Sequence, residues 1–205
     1  MPETADRPTE ATRAEARRAQ IRAAAADCFR RHGFHGTSIA EISKAAGMST
    51  GHIYHYFENK EAIIADIVAQ DMQRLLALTA ELRAASDVKA AMVERAVQGV
   101  EENLDPGRAG LQNEIVAEAA RNPHIAGIVR TADLQCRSSL TETLRSLRRA
   151  AGHQDSEATV AGMVEAISAM FEGLKIRTIR NPDIDRDMVV KMFRRMVSDL
   201  LSQTP

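Results

Sequence analysis

The sequence predicts an all-α fold of about nine helices, with a small N-terminal helix-turn-helix domain ahead of a larger helical domain. Aromatic residues, which are enriched in strands, are scarce: the 205 residues include five Phe, two Tyr and no Trp. Ala, Leu, Arg and Glu, which favour helices, dominate the composition. Apolar residues also recur three and four positions apart between clear cap and break signals.

These signals divide the chain into three parts. Residues 1–11 are polar with two prolines, so we expect a disordered tail. Residues 12–59 are expected to form a three-helix unit, and residues 60–205 a second helical domain. The helices are predicted over approximately residues 12–32, 38–46, 50–57, 60–84, 86–103, 108–120, 123–150, 155–180 and 182–201, where Ser86 or Asp87 opens the fifth helix and Asp155 or Ser156 opens the eighth.

The most informative segment lies between residues 37 and 60. Ser38 to Glu41 has the spacing of a capping box, Gly47 suits a left-handed turn, and Ser49 can cap a short third helix. Ile53 and Phe57, four apart, would face the core, which leaves a polar and aromatic outer face. Two short helices joined by such a turn are typical of a module that presents its second helix to the DNA major groove. The alternative is an ordinary helical hairpin whose aromatic stripe belongs to the core.

Charge is distributed unevenly along the chain. The net charge is −1, yet residues 11–60 hold eight Lys and Arg against four Asp and Glu, a local net charge of +4. Four of the six histidines lie in the same stretch. A positive bias on a small module is sufficient for phosphate contact, so the overall charge does not argue against DNA binding.

The segment from Thr37 to Lys60 and the Glu-Ala-Ile-Ile that follows resemble the DNA-binding domain of TetR-type transcriptional regulators. The resemblance lies in the Thr-Ser pair before the second helix, Ala-Ala-Gly-Met-Ser at the turn, Gly-His-Ile-Tyr-His-Tyr-Phe in the third helix, and Asn-Lys-Glu-Ala after it. A looser resemblance runs through Ala117-Glu-Ala-Ala-Arg-Asn-Pro123 and Glu172-Gly-Leu174. It implies a homodimer that represses transcription until a small molecule enters the C-terminal domain. Residues 12–59 would bind DNA, and residues 60–205 would bind the effector and dimerise.

Specific DNA contacts follow from the chemistry and from the resemblance. Thr37 and Ser38 stand at a helix N-terminus, where hydroxyls and amides suit a phosphate. Tyr54 and Lys60 resemble the family's phosphate anchors, and Gly51 would let the backbone approach the bases closely. The predicted DNA-binding residues are Thr37, Ser38, Ser49, Thr50, Gly51, His52, Tyr54, His55, Tyr56 and Lys60.

The larger domain carries weaker signals for a ligand pocket and a dimer interface. The predicted ligand-binding residues are Met72, Met92, Gln112, Glu118, Met163, Met170 and Phe171. Methionine at helical spacing is also typical of plain core, and a solvated helix face also explains the polar members. A second stripe suits a four-helix dimer seam or the core of one chain, and consists of Val160, Val164, Ile167, Phe171, Leu174, Met192, Met196 and Leu200.

The sequence therefore predicts a ligand-responsive repressor that binds a pseudo-palindromic double-stranded operator as a homodimer. The alternative is an activator or an architectural DNA-binding protein with no small-molecule effector. No enzyme is expected, because no nucleophile, paired acids or phosphate loop is visible. No cofactor or metal is expected either: the spacing of Cys28, His32 and His35 could hold a metal, but a buried thiol and surface imidazoles are the simpler interpretation. Unpaired cysteines and the lack of a long apolar span favour a cytoplasmic protein that does not enter a membrane.

Overall fold

The computed structural model describes residues 9–202, and these residues form nine α-helices joined by short turns, which confirms the all-α prediction. The helices are α1 (Glu10–Gly36), α2 (Ile39–Ala46), α3 (Thr50–Tyr56), α4 (Lys60–Ala84), α5 (Val88–Asn103), α6 (Pro106–Ala119), α7 (Pro123–Ala150), α8 (Glu157–Arg180) and α9 (Arg186–Ser202). Two compact units divide the chain between Ile67 and Val68.

The first unit contains α1, α2, α3 and the first two turns of α4. Its almost fully buried core consists of Ile21, Phe29, Ile42, Ile53, Phe57, Ile63 and Ile64. Burial of each such side chain contributes about 1.5–3 kcal/mol. The unit ends at Ile67 and not at the predicted residue 59, because the start of α4 supplies two of these core side chains.

Helix α1 begins earlier than predicted. Thr9 caps it by accepting a hydrogen bond from the Thr12 backbone N–H at 3.3 Å, and Glu10 places a carboxylate in the first turn. The last two residues of the predicted disordered tail are therefore helical, whereas residues 1–8 of that tail lie outside the described part of the chain. Gly33 breaks the helical path near the predicted end, with φ 71° and ψ 168°, a conformation that favours glycine.

The second unit packs α5 against α8 and α9, and α6 against α7 and α8. One apolar cluster consists of Met92, Ala96, Leu144, Val160, Met163, Val164, Ile167, Val197 and Leu201. A second consists of Val100, Leu104, Leu174 and Phe193. Four residues of the predicted stripe on α8, Val160, Val164, Ile167 and Leu174, are thus core within one chain.

Two helices of this unit start at residues other than those predicted. Asp105 accepts a hydrogen bond from the Arg108 backbone N–H at 2.6 Å, so α6 begins at Pro106. Helix α9 begins at Arg186, four residues later than predicted, because residues 181–185 form a turn and Asp185 accepts from the Met188 N–H at 2.9 Å. Proline therefore opens α6 but precedes α9.

A buried ion pair fastens the C-terminal end of α9. Arg148 is 1% exposed; its guanidinium pairs with Asp155, with one hydrogen bond of 2.8 Å, and donates to the carbonyls of Leu200 and Leu201 at 3.1 and 3.3 Å. The hydrogen bond from Arg148 lowers the pKa of Asp155. The pair is therefore ionised at neutral pH and joins three segments of the second unit.

Cys28 is buried in the first unit, and burial raises the pKa of its thiol. Within residues 9–202, no three His, Cys, Asp or Glu side chains lie close enough together to hold a metal ion. None of the helices in that range is both long and apolar enough to cross a bilayer.

Candidate nucleic-acid interface and ligand cavity

Local signals build the N-terminus of α2 as the sequence predicts. The Ser38 backbone N–H donates to the Glu41 carboxylate at 2.6 Å, and the Ser38 hydroxyl accepts from the Glu41 backbone N–H at 3.2 Å. Both halves of the capping box are thus formed. The hydrogen bond from the Ser38 backbone lowers the pKa of Glu41 and keeps this carboxylate charged at the helix N-terminus.

Gly47 and Ser49 set the angle at which α3 leaves the turn. Gly47 has φ 63° and ψ 35°, and the Met48 N–H closes the turn on the Ser43 carbonyl at 2.9 Å. Ser49 then accepts from the His52 N–H at 3.2 Å and begins α3. The predicted left-handed turn and the predicted cap are both confirmed.

Helix α3 has one buried side and one open side. Ile53 is fully buried, whereas Thr50, Gly51, His52 and His55 are exposed, and Tyr54 is 54% exposed. A Cβ added at Gly51 would meet no heavy atom within 4 Å, so packing does not require glycine there.

The aromatic rings of α3 form a ridge of their own. The Tyr56 ring, half-buried, lies 5.3 Å from the His52 ring and 5.0 Å from the His55 ring, measured between centroids. The rings of the two histidines are 6.4 Å apart. We define the reading surface as Thr50, Gly51, His52, Tyr54, His55 and Tyr56; it offers polar and aromatic groups on a rigid helix.

Two predicted phosphate contacts have other roles in the structure. Thr37 is 1% exposed, and its hydroxyl donates to the Gly33 carbonyl at 2.9 Å, so the prediction that Thr37 touches a phosphate is wrong. The Lys60 ammonium donates to the carbonyls of Phe34 and Thr37 at 2.7 and 2.6 Å and lies 4.5 Å from the Phe34 ring centre. Lys60 therefore closes the segment between α1 and α2 in place of the predicted phosphate contact.

Sequence reasoning missed the residues that hold α3 on the first unit. The Arg18 guanidinium lies 4.5 Å from the Phe57 ring centre and donates to the Tyr56 carbonyl at 3.3 Å and to Asp66 at 3.0 Å. Arg22 reaches the same Asp66 carboxylate at 2.6 Å. The four-residue spacing of the two arginines on α1 was the available signal.

The second unit contains a cavity of about 600 Å³ that is partly open to solvent. Four of the seven predicted ligand-binding residues line it: Met72, Met92, Gln112 and Phe171. Phe171 fits because α5 has glycine beside it: a Cβ at Gly99 would lie 2.9 Å from the ring. The volume is within the range of about 300–1,000 Å³ typical of small-molecule sites.

The other three predicted ligand residues lie elsewhere. Glu118 is 1% exposed, and its carboxylate accepts from Arg121 at 2.8 Å and from Asn122 at 3.3 Å, which joins the end of α6 to the start of α7. Met163 belongs to the first apolar cluster and Met170 packs against the second. The prediction that Met163 and Met170 line the cavity is wrong. Apolar periodicity shows which face of a helix is buried, but not whether that face packs into a core or lines a cavity.

Charged residues at one end of the cavity were not predicted. The Glu102 carboxylate forms ion pairs with Arg74 at 2.6 Å, Arg95 at 3.1 Å and Arg108 at 3.3 Å. Burial alone would raise the pKa of Glu102, but the hydrogen bond from Arg95 and the three positive charges outweigh it and lower the pKa.

Beside this group, Gln112 donates to Asp71 at 2.6 Å and accepts from the Lys175 ammonium at 3.3 Å. Burial lowers the pKa of Lys175. We call these residues the polar end of the cavity: Asp71, Arg74, Arg95, Glu102, Arg108, Gln112 and Lys175.

An apolar surface on α8 and α9 is open to solvent. Met192 and Met196 of the predicted dimer seam are 45% and 43% exposed, and Ile179 and Met188 are also exposed. Val160, Val164, Ile167 and Leu174 of that seam are buried within the chain, whereas Phe171 and Leu200 are half-buried. The seam predicted as one stripe therefore divides into an inner core and an outer face.

Comparison with known proteins gives two matching family models. Residues 21–67 match the model described as bacterial regulatory proteins, tetR family. Residues 90–202 match the model described as BetI-type transcriptional repressor, C-terminal. One of these matches lies in each structural unit.

Individual relatives agree with these models. The HTH-type transcriptional regulator UidR of Escherichia coli (strain K12) is 33% identical over 138 residues, which are 67% of this chain and 69% of UidR. The HTH-type transcriptional regulator BetI of Vibrio vulnificus (strain YJ016) is 27% identical over 173 residues, 82% of this chain and 83% of BetI. The solved structure of Salmonella enterica GusR matches with a TM-score of 0.76 and 28% identity, over 95% of this chain and 98% of GusR.

Proposed function

Because this chain belongs to the TetR family of bacterial regulatory proteins and is a DNA-binding transcriptional regulator, we propose that it is a homodimeric repressor that a small molecule releases from its operator. The observation that carries the proposal is the reading surface: a rigid short helix with exposed polar and aromatic side chains above a fully buried Ile53. Packing alone does not account for such a face.

On DNA, the residues of the first unit divide into readers and positioners. Thr50, Gly51, His52 and His55 face base edges in the major groove, and the Gly51 backbone approaches them closely. Tyr54, Tyr56 and the Ser49 hydroxyl at the N-terminus of α3 contact phosphates and fix the register. The Ser38 hydroxyl donates to the Glu41 carboxylate at 2.9 Å, so it would contact a phosphate only by exchanging that bond.

A homodimer presents two such surfaces to one operator. We place its interface on the exposed apolar face of α8 and α9, around Ile179, Met188, Met192 and Met196, because apolar patches on a soluble chain mark interaction sites. A two-fold interface would set the recognition helices about 34–36 Å apart, which corresponds to one turn of DNA and a pseudo-palindromic operator.

The cavity supplies the regulatory site. A ligand that binds better to a conformation with another spacing of the recognition helices weakens operator binding, and a coupling of about 1–3 kcal/mol gives about a 5- to 150-fold effect. Helix α4 begins in the first unit and continues into the second, so we assign it the role of hinge. The protein would act in the cytoplasm, where the DNA lies.

Selection of operator sequences from random DNA tests the reading role. We expect the wild type to select a two-fold symmetric site and His52→Ala to select a different base at the contacted positions, because one base-reading group is lost. His124→Ala, an exposed histidine at the start of α7, is the matched control and should select the wild-type site. An identical selected site for His52→Ala would contradict the assignment of His52.

The alternative is an activator or an architectural DNA-binding protein that responds to no effector. Its distinguishing result is operator binding that no ligand of the cavity weakens.

A further inference from the structure

The polar end of the cavity carries more positive than negative charge. Its cations are Arg74, Arg95, Arg108 and Lys175, and the carboxylates in contact with them are Glu102 and Asp71. This leaves a formal surplus of two positive charges, or of one when the exposed Glu172 beside Lys175 is included. Arg137 belongs to a separate group, because it pairs with Asp133 and Glu165.

The three arginines also share a single acceptor atom. Each of their ion pairs with Glu102 ends on the same oxygen, Oε2, although a guanidinium has five N–H donors and a carboxylate has two oxygens. Arg95 is the least exposed of the three, at 19% for its side chain. A second carboxylate-like group beside Glu102 would therefore find charged donors already held in position.

Lys175 supports the same interpretation. Its ammonium donates a hydrogen bond to the neutral Gln112 amide oxygen at 3.3 Å, and burial disfavours its charged form. An anion in the cavity would offset this effect of burial, because an opposite charge at short range favours the ionised state of a lysine.

The remainder of the lining is mostly apolar, and includes Met72, Leu75, Leu78, Leu82, Met92 and Phe171. A ligand that fits both parts has a charged head and an apolar body, since apolar walls provide most of the contact area while a few polar groups fix orientation.

We propose that the effector is an organic anion with an apolar body, and that Arg95, Arg108 and Lys175 bind its anionic head. The inference rests on the proposed function for the role of the cavity, and it adds the chemical class of the ligand. A cationic ligand would meet the surplus of like charge. A wholly apolar ligand would leave the cations without an added partner.

A set of probes with one shared ten-carbon tail tests the charge of the head. Sodium decanoate and decyl phosphate are the anionic probes, 1-decanol is neutral, and decyltrimethylammonium is cationic. Calorimetry with the full chain should show binding of at least one anion about tenfold or more tighter than either of the others. Equal or tighter binding of the neutral or cationic probe, or no binding of either anion at millimolar concentration, would overturn the proposal. The stronger of the two anions identifies the head group.

Substitutions at the polar end of the cavity test where the anionic head of the ligand binds. Arg95→Gln leaves two cations on Glu102, and Lys175→Met keeps the apolar stem, so both changes spare the core. Each should weaken anion binding about tenfold to a hundredfold, because a hydrogen bond to a charged group is lost, and leave 1-decanol binding unchanged. Arg195→Gln, at a side chain 78% exposed, is the control and should bind as the wild type does. Wild-type anion affinity in both cavity variants would overturn the placement.

A parallel measurement separates this inference from the proposed function. Operator release is followed by fluorescence anisotropy with each probe. Anion binding without release would support the ligand class and refute the ligand-responsive repressor. Release by the cation alone would support the repressor and refute the ligand class.

Discussion

Lys60 is the residue whose sequence-based and structure-based roles differ most, and Lys60→Met distinguishes them. The change removes two charge-assisted hydrogen bonds, of 2.7 Å to the Phe34 carbonyl and 2.6 Å to the Thr37 carbonyl, and the contact of the ammonium with the Phe34 ring. Methionine retains most of the apolar stem. Both accepting residues are buried, so their carbonyls lose a partner in a poorly solvated place.

The expected loss of unfolding free energy is about 3.5–4 kcal/mol for the two hydrogen bonds and the ring contact together. A hydrogen bond to a charged group contributes about 1.5–3 kcal/mol, and the low end applies because Lys60 is only half-buried. The cation–π contact adds about 0.5–1 kcal/mol. Operator binding by the folded variant should keep the salt dependence of the wild type, because a lysine bonded to carbonyls releases no counterion from DNA.

Urea unfolding followed by tyrosine fluorescence measures the stability of the first unit, in which Lys60 lies, because both tyrosines of the chain are in α3. Lys44→Met, at an exposed position of α2, is the matched control and should change stability by no more than about 0.5 kcal/mol. Two results together would refute the structural role and restore the phosphate contact. They are wild-type stability and a slope of log operator affinity against log salt concentration that is smaller in magnitude by about 0.9 for each subunit.

Four further changes test the turn, the reading surface, the proposed dimer face and the buried ion pair. Gly47→Ala should lower stability by about 1–2 kcal/mol because φ is 63° there, whereas Gly51→Ala, in open space, should spare stability and weaken operator binding. Met192→Glu should convert the dimer to monomers in sedimentation experiments, since a two-fold interface receives each new charge twice; a dimer that persists would exclude this face. The lowered pKa of Asp155 means that its ion pair with Arg148 stabilises the fold above the usual carboxyl pKa of about 3.9 and is lost as the pH falls through the lowered value. The stability difference between wild type and Asp155→Asn in urea should therefore be largest near neutral pH and shrink below about pH 4; a difference independent of pH would contradict this.

The turn between α2 and α3 could be predicted in detail because its signals are local. The capping box joins Ser38 to Glu41, Gly47 determines the turn by its own φ, and Ser49 caps the residue three positions later. Each interaction spans few residues, so spacing alone identifies it. Lys60 could not be assigned in this way, since the Phe34 and Thr37 carbonyls that its ammonium reaches lie 26 and 23 residues earlier in the chain.

The cavity was only partly predictable for a related reason. Met72 and Met163 both lie on apolar faces of long helices, yet the first lines the cavity and the second fills a core cluster. Periodicity identifies the buried face of a helix, and the gaps between helices depend on the packing of the whole unit. The polar end was invisible because its members come from α4, α5, α6 and α8, and Glu102 meets its three arginines only in the folded chain.

The net charge of a sequence segment can also differ from the net charge of the folded unit to which it belongs. Residues 11–60 have a net charge of +4, but the described part of the first unit, residues 9–67, holds eight basic against seven acidic side chains, a net charge of +1. Within this unit, Asp66 pairs with two arginines of α1 and Asp27 pairs with two more. Cations that already have a carboxylate partner contribute less to counterion release from DNA. Under the proposed function we therefore expect operator affinity to depend more on hydrogen bonds from helix N-termini and from the reading surface than on bulk positive charge, which would give α3 a larger share of both affinity and sequence choice.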